Sequence, residues 1–139
     1  MENTNIIQES KCNLMKRLYE LLELQKAVEK EFGEDGYNVF IFGSYINTTY
    51  AEGQSDIDIA VYTEDFELYK KISLYLEEYY NDKGIQSDIF FIDLSMVAPV
   101  YCAPLTSKVQ FTDYYPQKLL DFEKKCESKL KEIKARMAG

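Results

Sequence analysis

GSYINTTYAEGQSDIDIAV, residues 43–61, is the stretch on which the reading of this chain turns. It opens on Gly43-Ser44, runs through a polar loop, and ends in Ser55-Asp56-Ile57-Asp58-Ile59. Aspartates alternating with isoleucines have the period of a β-strand, which puts Asp56 and Asp58 on one face and Ile57 and Ile59 on the other. Positions two apart on a strand start roughly 6–7 Å from each other, close enough for two carboxylates to converge on one divalent cation. Like charges that close repel and raise a pKa unless a cation offsets them.

Two flanking runs complete the pattern. Tyr37 to Phe42, YNVFIF, is apolar, aromatic and β-branched, and predicts a buried strand that ends at Gly43-Ser44. Gln86 to Ile92, QSDIFFI, predicts a third strand and repeats the Ser-Asp-Ile opening, which offers Asp88 as a third carboxylate. If the two Ser-Asp-Ile strands are neighbours, Asp56, Asp58 and Asp88 share one end of one sheet face. Taken singly, Asp-x-Asp is an ordinary acidic pair at a strand edge, Gly-Ser an ordinary turn, and Asp88 a solvated cap. It is their combination that carries chemistry. A hard cation such as Mg²⁺ takes oxygen ligands, commonly carboxylates together with substrate phosphates. Glycine lets backbone approach a ligand closely, and the Ser44 hydroxyl adds a donor for phosphate oxygens.

The remaining chain places this segment in an α/β framework. About Cys12 to Phe32 predicts a helix with Leu14, Leu18, Leu21, Val28 and Phe32 on one stripe and Gln25 interrupting it. Ile57 to Tyr62 is the second strand. Thr63 is the expected cap of a following helix whose stripe is Tyr69, Ile72, Leu76 and Tyr79, closed by Asn81 to Gly84. Pro99 and Pro104 mark an irregular stretch, and Val109 to Phe111 is a short fourth strand. Pro116 opens a last helix with Leu119, Phe122, Cys126, Leu130, Ile133 and Met137 in period. The order α-β-turn-β-α-β-loop-α predicts a small, twisted, mixed sheet with flanking helices.

Composition narrows the function classes. The chain's 139 residues are expected to form one domain, 1–139. Net charge is −8, with only two arginines, Arg17 and Arg136, so no stable binding of long nucleic acid is expected. There is no histidine, which excludes Ser-His-Asp and Cys-His mechanisms. The three cysteines, Cys12, Cys102 and Cys126, are too few and too widely spaced to predict a disulfide framework. Cys12 and Cys126 are expected in the core and Cys102 in a loop. No apolar run reaches membrane length, so the expected location is cytoplasmic, away from membranes. The Tyr79-Tyr80 and Tyr114-Tyr115 pairs are candidates for an interface.

Strand, Gly43-Ser44, spacer, Asp56-Ile57-Asp58, and Asp88 on a later strand together resemble the minimal nucleotidyltransferases of the DNA polymerase β superfamily. The resemblance covers roughly residues 37 to 92. It implies the palm-like fold of that superfamily. It implies Asp56, Asp58 and Asp88 as metal ligands for Mg²⁺ and as catalytic residues, with Asp88 serving or orienting the base. It implies Gly43 and Ser44 as the residues that hold the β- and γ-phosphates of ATP. Two departures stand out: Thr48 occupies a position that is glycine in many relatives, and Tyr45, Ile46 and Asn47 replace a basic residue common in this loop. Small members of the group resemble antitoxins paired with a HEPN-type ribonuclease toxin, several of which modify a tyrosine of that partner with AMP. AMP transfer from Mg-ATP to such a partner's hydroxyl is the leading expectation, with a homo-oligomer as a further possible assembly. The alternatives are nucleotidylation of an antibiotic and a binding module without catalysis.

Overall fold

The computed structural model describes residues 2–106 and 108–138, with side chains from residue 8 onward. Helix α1 spans Glu2–Phe32 and leads into strand β1, Tyr37–Phe42. A single 3₁₀ turn, Gly43–Ile46, begins the long connection to β2, Ile57–Thr63. Helix α2, Phe66–Asp82, crosses to β3, Ser87–Phe91. Helix α3, Pro99–Thr106, precedes β4, Lys108–Gln110, and α4, Gln117–Ala138, ends the chain.

The four strands lie in the order β3-β2-β1-β4. β1 runs antiparallel to both β2 and β4, whereas β2 and β3 are parallel, so the sheet is mixed as expected. A parallel pair needs a crossover of a dozen residues or more, and α2 supplies it.

Period two divides the strands between two cores. Val39, Ile41, Ile57, Ile59 and Val61 face one layer with Leu21, Leu24 and Val28 of α1 and Ile72, Leu76 and Tyr80 of α2. Phe40, Ala60, Tyr62 and Ile92 face another layer with Leu105 of α3 and Leu119, Phe122 and Cys126 of α4. The isoleucines flanking the aspartates are fully buried, which fixes the face on which Asp58 stands.

Several local expectations are corrected. α1 begins at Glu2, ten residues before Cys12 in the count of the chain, and Cys12 is exposed rather than core. Gln25 interrupts the apolar stripe because its amide donates to the Phe111 carbonyl at 2.5 Å. The cap of α2 is Asp65, which accepts from Glu67 N and Leu68 N, while Thr63 donates its hydroxyl back to Gly36 O. The Pro99–Pro104 stretch is helical: Pro99 opens α3, where a missing N–H is harmless. That helix sets Cys102 against α4, and Cys102 and Cys126 form a disulfide with Cα atoms 5.5 Å apart, contrary to the reading of the cysteines as unpaired. The stripe of α4 is core only as far as Cys126. Leu130, Ile133 and Met137 are exposed, because α4 outruns the sheet it packs on. Tyr80 is core, and Tyr115 is half-buried against Glu123 and Lys108, so neither tyrosine pair is a free surface.

Among the described residues, no helix is long and apolar enough to cross a membrane.

Candidate active site

The site is built on register. Asp58 of β2 is the Cα partner of Asp88 on one side and of Phe42 on the other, and Phe42 is in turn the partner of Lys108. Direct partners in a ladder point to the same face, so Asp88, Asp58, Phe42 and Lys108 form one row across the sheet. Neighbouring strands stand about 4.8 Å apart, which brings the origins of the two carboxylates to about that distance. Asp56 lies just ahead of β2, two residues before Asp58, and is exposed like Asp88.

Asp58 is half-buried, and its carboxyl is pushed above the usual carboxylate range. Burial is the first cause, followed by the charges of Asp88 and then Asp56. Both acidic neighbours therefore act on Asp58 electrostatically. A raised folded-state pKa means that the ionised form is disfavoured in the fold. The penalty is absent below the unfolded-state pKa, grows as pH rises towards the folded one, and is complete above it. Asp58→Asn is accordingly expected to melt at a higher temperature than the parent at pH 7 without metal, with the advantage vanishing near pH 3. Melts at the two pH values check this, and a variant less stable than the parent at pH 7 would refute it.

The residues present fit Mg²⁺. Their donors are hard carboxylate oxygens, and the repulsion at Asp58 is of the kind that a cation relieves. Among the described residues, no three acidic, cysteine or histidine side chains crowd closely enough to cage an ion unaided. Mg²⁺ bound by one or two carboxylates plus substrate phosphates needs no such cage.

Gly43 closes the row from the other side. Its φ is +77°, in the left-handed region, and a Cβ added there would overlap the Asp58 Oδ2. Glycine is required twice over, for the turn and for the close approach. Gly43→Ala should lose roughly 1–2 kcal/mol of stability to the left-handed backbone alone. It should also displace the Asp58 carboxylate and weaken Mg-ATP binding. Denaturant titration and calorimetry together measure this; unchanged values in both would refute the close approach. Ser44 follows in the 3₁₀ turn, whose first two carbonyl groups are used locally: Ser44 O accepts from Asn47 N at 3.0 Å, and Gly43 O accepts from the Asn47 side chain at 2.9 Å.

Sequence reasoning missed two cations. Lys108 stands on the row, two strands from Asp58, and is tied to Tyr115 Oη at 3.0 Å and to Glu123 at 3.7 Å. Arg17 comes from α1 and is 5% exposed. Its Nε donates to Tyr45 O at 2.9 Å, its Nη2 to Asn47 O at 2.8 Å, and its Nη1 to Glu52 Oε1 at 2.5 Å. The guanidinium also lies 4.7 Å from the ring centre of Tyr50 and 5.6 Å from that of Tyr45. The signal for Arg17 was present: it falls on the buried stripe of α1, between Leu14 and Leu21.

The nucleotidyltransferase domain profile matches residues 21–135. The chain belongs to that family. The match takes in every strand and the whole Gly43–Asp88 constellation. The fold is shared with a chain in the crystal structure of a toxin–antitoxin with AMP-PNP: identity is 22%, 79% of this chain and 86% of that one are covered, and the TM-score is 0.50. A chain of the toxin–antitoxin MntA-HepT aligns over 91% of both chains at 20% identity, with a TM-score of 0.41. No curated protein matches. The mixed sheet with flanking helices is thus the palm-like nucleotidyltransferase fold.

Proposed function

We propose that this chain transfers a nucleoside monophosphate, AMP in our reading, from Mg-ATP to a hydroxyl group, releasing pyrophosphate. The observation that carries the proposal is the row itself: Asp58 and Asp88 in direct register, with Gly43 against the Asp58 carboxylate, in a chain of the nucleotidyltransferase family.

Asp56, Asp58 and Asp88 are the residues that would hold Mg²⁺, which supplies charge neutralisation to the triphosphate and acidity to the attacking hydroxyl. Gly43 and Ser44 bind the β- and γ-phosphates and turn the α-phosphorus towards the acidic row. The acceptor oxygen forms a bond to that phosphorus as the bond to the β-phosphate oxygen breaks. The departing pyrophosphate takes the electron pair, and Asp88 receives the acceptor's proton. Asp88 suits this because it is exposed and stands on an edge strand, where an acceptor can reach it.

We further propose a HEPN-type toxin as the protein partner and one of its tyrosines as the acceptor. A chain of this fold occurs in a toxin–antitoxin crystallised with AMP-PNP, an analogue of the substrate we infer. The outlying turns of α4, with Leu130, Ile133 and Met137 exposed, offer apolar surface for such a partner. The deciding experiment incubates the chain with each of the four NTPs and Mg²⁺, with and without the candidate toxin, and follows pyrophosphate release and the mass of the toxin. ATP-dependent gain of one AMP on a toxin tyrosine is expected. Tight binding of the toxin without transfer from any NTP would replace this reading with a non-catalytic antitoxin.

A further inference from the structure

We infer that Arg17 is the positioning residue of the Gly43-Ser44 turn, delivering from α1 the cation that the loop itself lacks and directing it at the loop's own carbonyls rather than at a phosphate. The inference rests on the reading of that turn as the triphosphate wall of the site.

Tyr45 seats the middle of the turn in the core, against the rings of Tyr50 and Tyr80, but does not reach its exposed end. The turn's internal bonds, Asn47 N to Ser44 O and the Asn47 side chain to Gly43 O, shape it but tie it to nothing else. Asn47, Thr48 and Thr49 are exposed. Beyond the core packing of Tyr45, Ile46 and Tyr50, the hydrogen bonds that tie the segment to another element come from the buried Arg17 guanidinium, which donates to Tyr45 O, Asn47 O and Glu52 and lies over the rings of Tyr45 and Tyr50. One side chain thus fixes the end of the turn and the strand-ward half of the loop to the first helix. Gly43 is held at the other end, where it touches Asp58. Between these two points the position of Ser44 relative to the acidic row is set.

This division of labour separates Arg17 from a phosphate ligand. Three donors aimed at three separate acceptors in fixed directions are what a planar guanidinium offers and an ammonium cannot. Lysine would keep the charge and lose the geometry. A residue that served only as a nearby positive charge would tolerate that change.

The test compares the parent chain with Arg17→Lys, Arg17→Met and Leu119→Ala. The last of these weakens the other core, remote from the loop, and serves as a stability control. Calorimetry gives the affinities for Mg-ATP and for AMP, and hydrogen exchange reports on the amides of residues 44–52. Lysine gives up most of these directed hydrogen bonds, so Arg17→Lys should weaken Mg-ATP binding by about tenfold or more. AMP, which lacks the β- and γ-phosphates, should bind within about threefold of the parent, and loop exchange should accelerate. Arg17→Met should do the same. Leu119→Ala should lower the melting temperature without changing the ratio of ATP to AMP affinity. Parent-like ATP binding and exchange in Arg17→Lys would overturn the inference, as would an equal loss of ratio in Leu119→Ala. A parent chain that binds no Mg-ATP would overturn the nucleotide reading and this role with it. The parent titration tells that failure apart from a failure of Arg17 alone.

Discussion

Asp88→Asn should slow transfer to the cognate acceptor by about a hundredfold or more while leaving Mg-ATP affinity within about tenfold of the parent. The two effects part company because the carboxylates of the row differ in setting. Asp58 is half-buried, pressed by two like charges and touched by Gly43, so it is placed to meet a cation carried in by the triphosphate. Asp88 is exposed on the edge strand β3, one strand spacing from Asp58, where an incoming hydroxyl arrives. Asparagine keeps the shape of Asp88 and removes its capacity to take a proton. Loss of a general base typically reduces a rate by about 10²–10⁴-fold. The measurement needs the true acceptor, since water or an arbitrary peptide would test only a side reaction. Equal turnover in parent and variant with that acceptor would remove Asp88 from the chemistry.

The double change Asp56→Asn, Asp58→Asn should abolish Mg-dependent ATP binding within the range of calorimetry. Loss of even an outer-shell partner lowers metal affinity by roughly 10–100-fold, and here two proposed direct ligands lose their charge together. The same protein should be at least as stable as the parent without metal at pH 7, because the burial of charge and the like-charge repulsion that raise the Asp58 pKa are gone. This pairing of lost binding with retained stability separates a metal site from a structural one. A double variant that binds Mg-ATP like the parent would end the metal assignment. One that unfolds instead would show that the carboxylates hold the sheet together.

The acidic row was legible because strands obey a short and rigid period. Ile57 and Ile59 had to be buried, and that alone sent Asp58 to the opposite face. The repeated Ser-Asp-Ile opening offered Asp88 as a third carboxylate on a neighbouring strand, but the register of β2 and β3 is offset by two from that repeat: Ser87 pairs with Ile57 and Asp88 with Asp58 rather than Asp56. Gly43 was legible as a point of close approach, although its partner turned out to be the Asp58 carboxylate itself. What escaped was set by contacts between distant parts of the chain. Arg17 reaches carbonyls about thirty positions away, and nothing in the loop announces a donor arriving from α1. β4 comprises Lys108–Gln110, too short for period two to speak, so Lys108 went unnoticed on the row. α3 was hidden because its prolines read as breakers, and with it went the meeting of Cys102 and Cys126.

The parallel pairing of β2 with β3 has a consequence for the order of folding. Asp58 and Asp88 lie at matching ends of one β2-α2-β3 unit, contiguous in the chain from Ile57 to Phe91. Their meeting waits on the closure of a single loop that α2 itself shortens by coiling, an entropic cost that grows only slowly with loop length. Contacts of modest sequence separation form early, whereas the pairing of β4 with β1 must reach back across about half of the chain. During synthesis from the N-terminus, α1, β1, β2, α2 and β3 all emerge before β4 and α4. The acidic row can therefore take shape on the ribosome while the helix that covers the far end of the same sheet face is still being made.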